Sequence, residues 1–384
     1  MDFNYYDPHR QAPPPDPLVE IPRLLTSLDI ALVPQPFETI ILLAPDRWSI
    51  GPMMIAEKLK HGMETPPGVV CTWVDQEEKY CIRKGKTPRP KNEVGEYLPL
   101  KRDSGRGYLV WQLSPNVFCK VDLWVEGITT EAANIRFVNT HFPSVPTEEL
   151  IYDWVDAEWN RCTHITKTGP GVFYDHAWPN LNMKQRLSVA DQVAEHCTTL
   201  ATMTSDYIQS VQGTGLSGAY CIRKREPASY WDPVVEPRVS REDFFKFQTR
   251  KYGDLNFTKS KEPFVLQIGG LGPDAFRVTV PSDTDEMPKV TSIMNWFDLG
   301  YFPKYRVATL PREWPRYALN VGASLSESNE WKWMLSNACV KAGFPLELKD
   351  AKKRDKLSNW YFHTIPPGEE LCCERLPPGY TLGE

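Results

Sequence analysis

Four short pieces of this 384-residue chain carry residue types able to do chemistry, and they stand in a suggestive order. Lys120 lies in an apolar run that reads as a strand, and Glu131 opens the helical pattern that follows. Asp254 lies in Tyr252-Gly253-Asp254-Leu255-Asn256, and Asn295 in Ile293-Met294-Asn295-Trp296. An ammonium, two carboxylates and an amide are groups that phosphoryl transfer recruits, because that reaction asks a protein for positioning and charge neutralisation rather than covalent chemistry. Each piece alone has a plainer reading. Lys120 fits an edge residue pointing to water, and Glu131 a helix-start charge favoured by the dipole. Asp254 fits a turn in which Asp and Gly are common for conformational reasons, and Asn295 beside Trp296 fits core-edge packing. Taken together, they say more than any one of them.

The elements that must position these residues follow from periodicity. Tyr108 to Leu113 and Val117 to Trp124 are strand-like runs joined by Ser114-Pro115-Asn116, a hairpin signal. Thr129 or Thr130 caps a helix running from Glu131 through Val138, and Leu150 to Trp154 is a further strand. Asn182 to Met203 is the clearest helix: Asn182 and Gln185 form a capping-box pair, and Leu187, Ala190, Val193, Ala194 and Cys197 share one face. Strands are expected near 263–268 and 289–294, and a helix from Glu330 to Gly343. The fold class predicted is α+β, a two-lobed protein-kinase-like arrangement with a small antiparallel lobe (94–168), a larger helical lobe (169–384) and an N-terminal extension.

That extension offers no chemistry of its own. Residues 1–20 are a disordered, proline-rich tail, and 21–93 form a stretch of unassigned role. Within it Phe37 to Leu43 reads as a strand, Gly51 to His61 as a short amphipathic helix, and Arg83 to Lys91 as an exposed linker.

Composition narrows the function. Hydrophobic residues are 41%, aromatics 12% and charged residues 24%, which excludes a wholly disordered chain. A net charge of -5 leaves no basic field for a polyanion, so nucleic acid is not an expected partner. The most apolar run, Thr39 to Pro45, is far below the ~18 residues of a membrane span, and MDFNYYDPHRQAPPPDP lacks the pattern of a secretory signal. Nine cysteines without a Cys-x-x-Cys pair read as reduced thiols in the cytoplasm. Seven scattered histidines offer no zinc pattern. Prolines number 35, about twice the usual share of ~5%, so regular elements must be short.

From about 94 to 345 the chain resembles the aminoglycoside phosphotransferase and choline kinase-like family, in its branch abundant in filamentous fungi. YLVWQLSPNVFCKVD resembles the hairpin ending in the nucleotide-binding lysine, and TEAANIRFVNTHFPSVPTEELIYDW the helix and strand after it. TKTGPGVFYDHAWPNL is similar to the hinge, and SNEWKWMLSNACVKAGFP to the closing helix. YGDLNFTKS falls where the family has His-Gly-Asp-x-x-x-x-Asn, and IMNWFDLGYFPKY where it has Ile-Ile-Asp-Trp-Glu and then Gly-x-x-Pro-x-Tyr. The resemblance implies that Lys120 grips phosphates, that Glu131 holds Lys120, and that Gly105 and Gly107 belong to the phosphate-covering loop. Asp254 is then the base, and Asn295 stands at a magnesium position.

The departures fall on the metal side. The histidine two before the base is Tyr252, the metal-binding asparagine five after it is Lys259, and the metal-binding aspartate is Asn295. An amide offers only a neutral carbonyl to a hard cation, and Lys259 puts a positive charge where the cation belongs. Asp298, three residues on, is a carboxylate whose spacing turns it elsewhere. GGLGPD (269–274) and PSDTDEMP (281–288) read as extra surface loop.

The expected function is therefore a kinase-fold protein that has lost magnesium-dependent phosphoryl transfer, with no bound metal or cofactor. Its interlobe cleft, lined by Lys120, Tyr252, Asp254 and Lys259, takes a largely apolar small-molecule substrate. The chemistry expected is a metal-independent cyclisation or isomerisation in a fungal natural-product pathway. The alternatives are an ATP- and magnesium-dependent small-molecule phosphotransferase, and a non-catalytic scaffold meeting a protein partner through residues 1–93.

Overall fold

The computed structural model describes residues 38–60, 62, 64–90, 96–97, 102–103, 108–124, 127–214, 216–217, 235–236, 238–252, 262–283, 285–313, 317–319 and 322–346. The first strands are β1 (Ile40–Ala44), β2 (Arg47–Ile50), β3 (Met54–Lys58), β4 (Val69–Asp75), β5 (Glu78–Lys84) and β6 (Glu96–Tyr97). They form one antiparallel sheet in the order β4-β5-β3-β2-β1-β6. Its β4–β5 hairpin turns on Gln76 and Glu77, both at positive φ, the mirror-image turn whose twist suits a two-residue connection.

The small-lobe sheet contains β7 (Arg102–Asp103), β8 (Tyr108–Ser114), β9 (Val117–Leu123), β10 (Glu149–Asp156) and β11 (Arg161–Lys167), in the order β10-β11-β9-β8-β7. The helix α1 (Glu131–His141) lies between β9 and β10 in sequence, and the Thr130 side chain caps it by accepting from the Ala133 N–H. The expected hairpin, helix and following strand are all present.

The extension is part of this lobe. Trp48, Met54, Trp73 and Ile82 of the first sheet share a core with Trp111, Cys119, Val121 and Ile165 of the second. Asp75, at the β4–β5 turn, accepts hydrogen bonds from Ser114 Oγ (2.5 Å), Asn116 N (2.9 Å) and Asn116 Nδ2 (2.9 Å), fixing the β8–β9 turn to the extension. Two expectations are corrected here. Residues 51–61 contain a strand, not a helix: Met54 and Ala56 point into the shared core while Ile55 and Glu57 alternate away, a period of two set by pairing with β2 and β5. Residues 83–90 are only partly an exposed linker: Arg83 and Lys84 end a strand, and Arg89 is buried among exposed neighbours, donating from Nη2 to the carbonyls of Glu38 (2.9 Å) and Thr39 (2.8 Å). The Pro-rich tail, residues 1–20, lies outside the described residues.

The second lobe begins with β12 (Val172–Phe173), α2 (Tyr174–Ala177) and α3 (Met183–Leu200). Then come β13 (Thr204–Ser205), β14 (Tyr207–Ser210), β15 (Leu216–Ser217), β16 (Val235–Glu236), β17 (Val239–Ser240) and α4 (Arg241–Tyr252). It ends with β18 (Phe264–Gln267), β19 (Phe276–Val278), β20 (Val290–Ile293), β21 (Gly300–Phe302), α5 (Arg306–Glu313) and α6 (Leu325–Lys341). The Asn182–Gln185 capping box forms as the sequence implies. A second box, Ser324 with Glu327, starts α6 earlier than the expected Glu330. Tyr174, Trp178, Phe276 and Trp331 interlock at the centre of this lobe, with Tyr174 and Trp331 ring centroids 4.5 Å apart. The architecture is two-lobed α+β, and the larger lobe carries short strands among its helices.

The stretch read as extra surface loop divides in two. Residues 269–273 are buried, with Leu271 in the core. Residues 281–288 are mostly exposed, but carbonyls of Asp283, Glu286 and Pro288 accept from Gln185 and Gln192 of α3.

Candidate functional site

Alternation along β9 creates the site. Val117, Cys119 and Val121 enter the core shared with the extension, so Lys120 and Asp122 emerge on the opposite face. In β11, His164 lies opposite Lys120 and Cys162 opposite Asp122, while Ile165 joins the shared core. The polar face thus looks toward α1, whose first residue is Glu131.

Lys120 and Glu131 form a direct ion pair, both almost wholly buried. The Lys120 ammonium is also 3.8 Å from Asp122 and 5.1 Å from the centre of the Phe297 ring. Glu131 reaches further: its second oxygen accepts the Trp296 N–H at 2.8 Å, and Asn134 of the same helix donates to the Trp296 carbonyl at 2.7 Å. The helix therefore grips both Lys120 and the backbone just after Asn295. Three of the positions singled out in the sequence, Lys120, Glu131 and Asn295, meet in one place.

Burial sets the charges. It is the largest influence on Glu131 and opposes its ionisation, but Lys120, His164 and the hydrogen bonds together outweigh it and hold the carboxyl below its ordinary range. Burial pushes Asp122 up to about 7 against the pull of Lys120, with Glu131 adding to the rise. Glu148, which accepts from Thr166 Oγ1 at 3.0 Å, is pushed up to about 8 by burial and then by Glu131. Burial takes His164 down to about 4, so its ring, 4.0 Å from Glu131, is neutral at pH 7. Asp122, Glu148 and His164 were not among the expected site residues. The β11 sequence gives little signal, because Arg161, Thr163 and Lys167 are as polar as His164 and Thr166 and only Ile165 marks the core face.

Asn295 is the hinge of the other side. Its backbone is left-handed, at φ 63°, a conformation Asn tolerates better than most residues. Its side chain is buried, and its Nδ2 meets no hydrogen-bond partner among the described residues. Asp298, the one carboxylate between residues 293 and 302, is committed elsewhere. Its Oδ1 accepts the Gly269 N–H at 3.1 Å, and a Cβ added at Gly269 would lie 2.5 Å from Asp298 Oδ2 and 3.4 Å from Arg306 Nη2. Tyr317 completes the anchor by donating to the Gly269 carbonyl at 3.3 Å. Asp298 Oδ1 thus holds the Gly269 backbone, and residues 269–273 are held inside rather than forming surface.

Tyr252 is the last residue of α4. Asp254, Lys259, Gly105 and Gly107 lie outside the described residues.

The chain is similar in fold to aminoglycoside phosphotransferases. A type VIII aminoglycoside-3'-phosphotransferase shares 15% identity over 63% of this chain and 82% of its own, with a TM-score of 0.35. The wild-type aminoglycoside 2'-phosphotransferase-IIIa, solved as its GDP complex, shares 11% over 62% and 75%, with a TM-score of 0.37. An aminoglycoside phosphotransferase from Streptomyces rimosus shares 12% over 63% and 92%, with a TM-score of 0.33. These likenesses concern fold alone. No family model and no curated protein matches the chain. Among the described residues, no helix is long and apolar enough to cross a membrane.

Proposed function

We propose that this chain is a kinase-fold protein whose interlobe cleft carries out a metal-independent reaction on a largely apolar small molecule, a cyclisation or isomerisation rather than phosphoryl transfer. The observation that carries this reading is the amide at Asn295, with the Oδ1 of Asp298 taken up by the Gly269 N–H. The segment expected to offer a carboxylate to a divalent ion has only an amide at position 295, and its single carboxylate accepts from Gly269. A hard cation prefers charged oxygen ligands, so these residues do not suit magnesium.

The retained ammonium suits another use. Lys120, held by Glu131, is a pre-positioned hydrogen-bond donor for an oxygen that gains negative charge during reaction. In an isomerisation, Asp254 takes a proton from the carbon beside a carbonyl, Lys120 stabilises the enolate oxygen, and the proton returns to a different carbon. Tyr252 and Lys259 are further donors for the same substrate. Nothing is oxidised and no co-reactant is consumed. A place in a fungal natural-product pathway follows from the family resemblance in the sequence.

One observation favours a second reading, an ATP-dependent small-molecule phosphotransferase: the chain of contacts from Lys120 through Glu131 to Trp296 is intact. Thermal unfolding with ATP alone and with ATP plus magnesium separates the two. A site filled at 100 times its dissociation constant adds about 2.7 kcal/mol. The expected outcome is no magnesium-dependent gain; a gain of that size only with magnesium would sink the metal-independent reading.

A further inference from the structure

We propose that Asp122 selects what the Lys120 end of the cleft accepts, admitting a group with at most one negative charge and rejecting polyphosphates. This rests on the metal-independent reading above and narrows its substrate to carbonyl, hydroxyl or single carboxylate oxygens at this end.

The argument is one of charge around a single ammonium. Asp122 is two residues from Lys120 on β9, so both side chains share a face, and the ammonium lies 3.8 Å from its carboxylate. Glu131 of α1 contacts the same ammonium directly. One positive charge is thus flanked by the ionised Glu131 and by Asp122, which burial pushes up to about 7 and which is a full carboxylate above that pH. Among the described residues acting on Asp122 or facing it, the remaining groups do little to change the balance. From β11, His164 is neutral and the Cys162 thiol, opposite Asp122, is held protonated by burial. Arg161 pairs with Leu123 in register, so it projects from the other face of the sheet, and it is the weakest of the charges acting on Asp122. Glu148, pushed up by burial, is mostly protonated near pH 7.

Once Asp122 is ionised, a triphosphate brought to Lys120 meets an ammonium already neutralised by Glu131, with a second carboxylate beside it. Repulsion between like charges a few ångströms apart is substantial where burial lowers the effective dielectric. A carbonyl or hydroxyl oxygen meets no such repulsion when it approaches the ammonium. Glu131 alone would leave room for an anion, because a lysine held by one carboxylate still projects donors; Asp122 is what removes that room. Its side chain is 19% exposed, more open than Lys120 or Glu131, as suits a group meeting the ligand.

The test is calorimetric titration of the full chain with sodium tripolyphosphate in EDTA at about pH 8.5, where Asp122 is ionised, comparing the native protein with Asp122→Asn. The expected result is binding at least tenfold tighter in the variant, equivalent to about 1.4 kcal/mol. Adding Lys120→Met to Asp122→Asn should erase the gain. Asp122→Ser serves as a second variant should the amide disturb folding, and it should show the same gain. Equal affinity in native and variant proteins overturns the proposal. A parallel titration with magnesium keeps the two claims apart. Tight binding by the native protein only with magnesium would refute the metal-independent reading, while selection by Asp122 is still decided by the ratio in EDTA.

Discussion

The anchor at Lys120 and the segment at Asn295 lie side by side, and they are built on opposite terms. The anchor is a buried ion pair with every neighbour arranged to hold it: α1 supplies Glu131, and Glu131 and Asn134 tie the helix to the backbone of Trp296. The segment it holds offers an unpartnered amide nitrogen at Asn295 and spends its one carboxylate on Gly269. On the proposed reading, positioning hardware is kept where a cation ligand is missing. Geometry and charge in a kinase-like cleft are thus separable, since the first depends on packing between a strand and a helix and the second on two or three side chains.

The largest effect should come from breaking the anchor. Glu131→Ala leaves the Lys120 ammonium buried without its closest counter-charge and the Trp296 N–H without its acceptor. Removing one partner of a buried pair costs about 3–5 kcal/mol. Chemical denaturation should show a loss of that size, with Glu131→Gln intermediate because it still accepts from Trp296. A loss below about 1 kcal/mol in Glu131→Ala, the range of surface pairs, would mean that the anchor is not the rigid half of the comparison.

The second test converts the segment. Asn295→Asp puts a carboxylate on a backbone that Asp tolerates as well as Asn. Made in an Asp122→Asn background, so that a triphosphate is not rejected at Lys120, the substitution gives ATP plus magnesium a stabilising effect that the Asp122→Asn protein lacks, of up to about 2.7 kcal/mol at 100 times the dissociation constant. Thermal unfolding of both proteins, each with and without magnesium, reads it directly. Identical magnesium responses in the two would show that residue 295 does not decide the matter.

The anchor was legible in the sequence because its parts are local. A hairpin with Lys120 on its second strand, a threonine cap and Glu131 at the next helix start are written within a few residues of one another. The capping boxes of α3 and α6 are legible for the same reason, although the second shows itself only when Ser324 and Glu327 are read together. What failed depends on distant partners. Residues 54–58 look helical until the second sheet gives Met54 and Ala56 a common face to bury. Arg89 looks like linker until the Glu38 and Thr39 carbonyls receive it. The glycines from 269 look like surface because their burial is enforced from Asp298 and Tyr317, some 30 to 50 residues away. Asp122, Glu148 and His164 escaped notice because a residue's charge state is set by burial, which alternation hints at and only packing settles.

The smallest expected effect per unit of pH sharpens the comparison by titrating the anchor's surroundings. Glu148 is raised to about 8 from an ordinary value of 4.5, so the folded protein binds more protons there than the unfolded chain across that window. Stability from this group is fully present below pH 4.5 and is lost as pH rises toward 8, at up to about 1.4 kcal/mol per unit. His164, lowered to about 4, acts with the opposite slope, but only between its folded value and 6.5, so it no longer contributes above that. Between pH 7 and 8 the decline is shared by Glu148 and the upper end of the Asp122 titration, which centres near 7. Glu148→Gln keeps an acceptor for Thr166 and has no proton to lose. Unfolding free energies at pH 6, 7 and 8 should therefore fall less steeply in the variant than in the native protein, with the difference widening toward pH 8. Parallel curves would mean that Glu148 is as well solvated as an ordinary carboxylate, and that the polar face behind Lys120 admits water.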